Sequence, residues 1–202
     1  RTNLKLDLRL LGVMEWMESV EHGTPHSFPP HVQNVIDSVF SISDFILLGP
    51  SGCGKTRLIF DLATQHPVIF FNCVPYSPSN YRPIIEDKNY PKLFNACEVL
   101  LNSEKCHPSM AAQRAQPLIL KHLICRMLLL LSLLSCPTLY SPSNYLLLQL
   151  NGGQAMIDHA WNILSTLQSL RDQNFAQYVL DRIRKHLEGN KQQLIIGLDE
   201  AS

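Results

Sequence analysis

Apolar residues recur along this chain in two patterns, a helical spacing and short unbroken runs. Leu58, Ile59 and Leu62 stand at helical spacing and predict a helix over 55–64. Phe175, Val179, Ile183 and Leu187 recur every fourth residue and predict another. Before it, Met156, Ala160, Ile163, Leu164, Leu167 and Leu170 predict one apolar helical face. Three runs are too short for helices: Phe45–Leu48, Val68–Phe71 and Leu194–Leu198. They read as strands of a parallel sheet, which buries both faces of each strand. The longest apolar stretch is Leu118–Leu134. A membrane span needs about 20 apolar residues with few charges. Here Lys121, His122 and Arg126 interrupt the run, and Pro117 and Pro137 bound it, so a buried helix is expected and a membrane is not.

The remaining segments are less regular. Residues 4–21 predict a helix with Leu8, Leu11, Trp16 and Val20 inward, and 31–40 a short one built on Val32, Val35, Ile36 and Val39. Residues 92–101 have helical character. Residues 23–30, 72–91 and 102–117 read as loops, with Pro108 and Pro117 as breaks. Asp172 or Asn174 can cap the start of the last helix, and Gly189-Asn190 its end. The hexapeptide Tyr-Ser-Pro-Ser-Asn-Tyr occurs at 76–81 and again at 140–145. Two like turns are the expected reading, with Pro at a turn or at the first helical position.

Strands alternating with helices predict an α/β domain with a mainly parallel sheet flanked by helices. A helical lead-in over 1–43 precedes a domain over 44–202, with a helical insertion at about 92–188.

Composition narrows the class. Lys+Arg and Asp+Glu are both 17 in 202 residues, so nothing in the net charge calls for nucleic acid or an anionic membrane. Six scattered cysteines with no C-x-x-C pair fit a reduced, intracellular setting, cytoplasmic by default. No signal-peptide pattern is present. Cys97, Cys106 and His107 match no common zinc spacing.

The candidate chemistry lies at two places. Residues 49–56 read Gly49-Pro50-Ser51-Gly52-Cys53-Gly54-Lys55-Thr56, a full G-x-x-x-x-G-K-[ST] phosphate-binding loop. Glycines let the backbone curl so that successive N–H groups converge on one concavity. Lys55 reaches the β- and γ-phosphates, the Thr56 hydroxyl ligates Mg²⁺, and Arg57 follows directly. The loop is set between a strand and a helix, as this chemistry requires, and the helix's positive end adds to it. The chain closes on a second motif, Leu194-Ile195-Ile196-Gly197-Leu198-Asp199-Glu200-Ala201-Ser202. Asp199 would leave the strand at the edge where open α/β sheets bind ligands, and would hold Mg²⁺. Glu200 would polarise the attacking water. Asp-Glu favours ATP over GTP, and no Asn-Lys-x-Asp guanine reader is present. Arg57, Arg82 and Arg126 are candidates to approach phosphate, and the sequence does not choose among them.

The loop and the terminal Leu198-Asp199-Glu200-Ala201 resemble P-loop ATPases of the additional-strand group, which includes AAA+ and STAND proteins. More narrowly, the phrase Phe45–Arg57, the leucine-rich helix with Arg126, and Tyr145–Leu150 resemble the NTPase module of Crinkler-type proteins of fungi and oomycetes. That resemblance implies ATP as ligand and a nuclease-like domain beyond the module. It also implies that some members act in the nucleus or in host cells. Ser202 stands where Gln is common in such modules. The chain starts at Arg1 and stops three residues after Asp199, so a segment of something longer is expected, without the downstream sensor strand. Two functions follow. One is Mg²⁺-dependent ATP binding with slow hydrolysis. The alternative is a nucleotide-dependent switch or scaffold with little turnover. A homo-oligomer and a partner protein both stay open.

Overall fold

The computed structural model describes residues 34, 55–72, 93, 95–99, 108–150, 153–166 and 173–199. In chain order the elements are α1 (Lys55–Leu62), β1 (Val68–Asn72), α2 (Pro108–Leu134), α3 (Pro142–Leu150), α4 (Gln154–Thr166), α5 (Gln173–Glu188) and β2 (Ile195–Asp199). The two strands pair in parallel, Val68 opposite Ile195 through Asn72 opposite Asp199. The described residues are thus mostly helical around a small parallel sheet.

β1 divides two apolar clusters, because strand side chains alternate between faces. Val68 and Phe70 face α1, where Ile59, Phe60, Leu62 and Ala63 pack with Leu146 of α3. Ile69 and Phe71 face the helical side, a larger cluster of residues from α2, α3, α4 and α5. Each face of this one short strand therefore carries a separate core.

α2 differs from its expected bounds. It begins at Pro108 and runs through Pro117, where a loop was expected. A proline tolerates the first helical turn, since its missing N–H has no partner there. An internal proline costs a ladder bond, but Gln113, Arg114, Gln116 and Pro117 are exposed, so water can serve the freed carbonyl. Further along, Ile124, Met127, Leu130 and Leu133 are buried together with His122 and Arg126. The window Gln113–Leu134 has a mean hydropathy of 1.9 and is long enough to cross a bilayer, yet half of it is buried inside the protein.

The second hexapeptide opens α3. Ser141 Oγ accepts the Asn144 N–H at 3.0 Å and Pro142 takes the first helical position, so this copy is a helix start. The first copy lies outside the described residues.

In α4 the buried stripe is Ile157 and Leu164, whereas Met156 and Ile163 are about half exposed. The expected face was rotated: α4 is apolar on more than one side, and contact with α2 selects which side goes in. α5 buries Val179, Ile183 and Leu187 as the spacing implies. Its end differs from the Gly189-Asn190 cap. The Gln192 N–H bonds the Leu187 carbonyl at 3.1 Å and the Lys191 N–H bonds Glu188 at 3.2 Å. That is a Schellman closure with Lys191, at φ 54°, in the left-handed position that usually takes glycine.

β2 also departs from expectation, since Ile196 and Leu198 are more than half exposed. The helical layer lies over β1 and leaves that face of β2 open among the described residues. The helices expected over 4–21 and 31–40, the strand over Phe45–Leu48 and the irregular stretch 73–91 fall outside the described residues, apart from helical Asn34.

Candidate nucleotide site

The geometry begins with how α1 lies on the sheet. Its C-terminal end is tied to the starts of both strands. The Gln65 carbonyl accepts from Gln192 Nε2 at 3.1 Å, the Gln193 N–H donates to His66 Nδ1 at 3.0 Å, and the Ile195 N–H donates to the Pro67 carbonyl at 3.0 Å. Burial holds His66 below its ordinary pKa, which suits an accepting, neutral ring. Midway, Ile59 meets Gly197: a Cβ on that glycine would sit 3.2 Å from Ile59 Cγ2. Phe60 stacks at a tilt on Phe70, centroids 5.5 Å apart. α1 is about 12 Å long and each strand about 16 Å, so the helix runs back along the sheet. Its first turn, with Lys55 and Thr56, therefore heads toward the edge where β1 and β2 end.

At that edge Asp199 is the last residue of β2 and Asn72 the last of β1. Thr56 is half-buried in α1. Arg57 Nε donates to Asp61 Oδ1 at 2.9 Å, an i,i+4 pair along one helix face. Gly49, Pro50, Ser51, Gly52, Cys53, Gly54, Arg82 and Glu200 lie outside the described residues. Hydroxyl and carboxylate oxygens are the hard donors that Mg²⁺ prefers, so Thr56 and Asp199 fit that ion by type. Among the described residues no group of three or more His, Cys, Asp or Glu could hold a metal on its own.

Arg126 is not at this edge. It is 1% exposed, beneath β1. Its Nη1 donates to the Phe70 carbonyl at 2.6 Å and to Gln149 Oε1 at 3.0 Å, and the guanidinium lies 4.6 Å from the Phe71 ring centre. Its role is to hold the strand, and the phosphate role open to it in the sequence does not fit this burial. Gln149 completes the arrangement. Its Oε1 accepts the Phe70 N–H at 3.1 Å and its Nε2 donates to the Val68 carbonyl at 2.8 Å. One side-chain amide thus bonds the two main-chain groups that a neighbouring strand would pair, and it closes that edge of β1. Tyr145 is fully buried and donates to the Arg126 carbonyl at 3.1 Å. Burial drives its phenol pKa far up.

The same burial acts on His122, which is 2% exposed and stacks between Phe71 and Trp161. Desolvation, and then the adjacent Arg126 charge, pull its pKa down to about 3, so the ring is neutral. Burial pushes the Cys125 thiol up to about 11, which removes it as a nucleophile. Elsewhere, an open apolar groove of about 390 Å³ runs between α2 and α4, lined by Leu128, Ser132, Met156, His159 and Ile163 among others.

Sequence reasoning missed Gln149 and the strand-holding role of Arg126. The signal was a polar residue set inside each of two leucine-rich helical runs: such a residue, once buried, must find partners.

Comparison with known proteins adds one finding. No family model matches the chain, and no solved structure matches it. A stretch of 55 residues is 38% identical to the spermidine/putrescine import ATP-binding protein PotA of Pseudomonas fluorescens. The match covers 25% of this chain and 15% of that protein, so the chain spans a small part of its relative's length. The similarity reaches the level of ATP binding by a P-loop NTPase and no further. It gives no support to the narrower Crinkler or STAND resemblance.

Proposed function

We propose that this chain is an ATP-binding module of the P-loop type that requires Mg²⁺ and hydrolyses ATP slowly. One observation carries the reading: the helix that opens at Lys55 and Thr56 heads for the sheet edge where Asp199 ends β2. The partial likeness to an ATP-binding protein supports the same choice of ligand. In this reading the amides of Gly52 to Thr56 cradle the phosphates, with Lys55 on the β- and γ-phosphates. Thr56 and Asp199 would hold the ion, which neutralises phosphate charge when bound. Glu200 orients the attacking water and takes its proton. No arginine finger is assigned, since Arg126 serves the strand and Arg57 pairs with Asp61.

Titration of the chain with Mg-ATP and Mg-GTP, alongside Lys55→Ala, tests the binding. Saturable Mg-ATP binding that Lys55→Ala abolishes is expected; equal binding by both proteins would refute the reading. Turnover is tested with Glu200→Gln. Loss of a measurable rate with binding intact supports hydrolysis. A wild-type rate no higher than that of the variant supports a nucleotide-dependent switch.

A further inference from the structure

We infer that the outer face of α5 is a binding surface for single-stranded nucleic acid, with Tyr178 as its stacking platform and Arg182 and Lys185 as its phosphate contacts. The surface is separate from the nucleotide reading above and stands without it. α5 turns Val179, Ile183 and Leu187 inward. At about 100° per residue, Tyr178, Arg182 and Lys185 fall within one arc of about 60°, directed away from that stripe. All three are exposed, Tyr178 by 58%. The helix dipole accounts for cations in a last turn, but not for an aromatic ring held in water two turns earlier. The charges are also sorted. Asp181, the acid bordering the arc, accepts from Gln177 Nε2 at 2.8 Å and lies 3.6 Å from Arg184 Nη1. Among the described residues Arg182 and Lys185 form no ion pair. Of the five exposed Lys and Arg among the described side chains, four (Arg182, Arg184, Lys185 and Lys191) lie within ten residues. The chain as a whole is neutral, so its pull on an anion is concentrated here.

The combination of ring and cations selects the partner. Along the helix axis Tyr178 stands about 6 Å before Arg182, and Arg182 about 4.5 Å before Lys185. A single strand offers both kinds of contact in every repeat, a phosphate for a cation and a flat base for a ring. An acidic peptide would meet the cations and leave the ring with nothing to stack on. A duplex keeps its bases stacked on one another. Contacts of this kind read little sequence and fade as salt rises.

Fluorescence anisotropy of a labelled oligothymidylate of about 20 nucleotides, titrated with the whole chain at about 50 and 200 mM NaCl, tests this. Mg-ATP is present throughout to keep the oligonucleotide's phosphates out of the site proposed above, so the two readings fail separately. With about three cations engaged, affinity should fall about 20-fold between the two salts. Arg182→Gln with Lys185→Gln removes two of them, so binding at the lower salt should weaken and the fall should shrink to about threefold. Tyr178→Ala should weaken binding about tenfold, whereas Tyr178→Phe, which keeps the ring, should bind like wild type. No binding by wild type at the lower salt overturns the inference, as does an unchanged affinity and salt dependence in the folded double variant. So does wild-type affinity in Tyr178→Ala, which would leave charge alone. A Glu-rich peptide that displaces the oligonucleotide at equal concentration also overturns it and assigns the face to acidic proteins. If circular dichroism shows the double variant misfolded, Tyr178→Ala against Tyr178→Phe decides.

Discussion

Replacing Gln149 by methionine isolates the closure of the β1 edge. The two side chains are similar in length, so packing is largely kept while both amide groups are lost. The Phe70 N–H and the Val68 carbonyl then face an apolar side chain. Each buried main-chain group left unpaired costs about 1–3 kcal/mol. Arg126 also loses one acceptor while keeping the Phe70 carbonyl, the Phe71 ring and the His122 ring nitrogen beside it. Better burial of the thioether returns about 1 kcal/mol. The net expectation is a loss of about 1–5 kcal/mol from a domain whose total stability is about 5–15. With a urea dependence near 2 kcal/mol per molar, the unfolding midpoint falls by about 0.5–2.5 M. Urea unfolding followed by far-ultraviolet circular dichroism measures this. Gln149→Glu keeps the acceptor for Phe70 and Arg126 but turns the donor to Val68 into a carboxylate oxygen facing that carbonyl, so at least half the loss is expected. A midpoint shift below about 0.3 M for Gln149→Met, with an unchanged slope, would refute the claim that this amide stands in for a strand.

Three further outcomes are expected. Because His122 titrates near 3 when folded and near 6.5 when unfolded, its contribution is whole above pH 6.5 and shrinks as pH falls. Stability should drop by about 2–3 kcal/mol between pH 7 and 4.5 from this residue, and His122→Phe should flatten that slope in pH-dependent denaturation. Lys191→Gly relieves a left-handed backbone at φ 54° and should raise stability by about 0.5–1 kcal/mol, read as a higher thermal midpoint. Gly153→Ala would set a Cβ 2.4 Å from the Leu148 carbonyl oxygen, so a loss of about 2–3 kcal/mol and a lower midpoint are expected.

The sequence was legible where local physics decides. Phe175 to Leu187 repeat at the helical period, and α5 buries three of those four positions. Val68–Phe71 and Leu194–Leu198 are short apolar runs, and both became strands within a residue of the reading. It was illegible where partners decide. Nothing near Met156 says that Ile157 will be the residue turned inward, because that depends on where α2 lies. Pro117 breaks helices on average, yet here it sits on an exposed face where the missing bond is cheap. Arg126 and Gln149 read as interruptions in leucine-rich helices, since their partners are main-chain groups of a strand far off in sequence. Of the candidate site, the loop motif and Asp199 were visible as motifs. Their shared edge came only from how α1 docks.

The bonds that seal β1 join positions 79 and 81 apart along the chain. During synthesis from the N-terminus, β1 leaves the ribosome well before α3, and β2 emerges last of the described elements. In that interval the strand presents Val-Ile-Phe-Phe with neither flank occupied, the state in which nascent chains stick to one another. Contacts of such long range also form slowly. Yield on expression should therefore depend on temperature and chaperone supply during translation more steeply than the finished protein's stability would indicate.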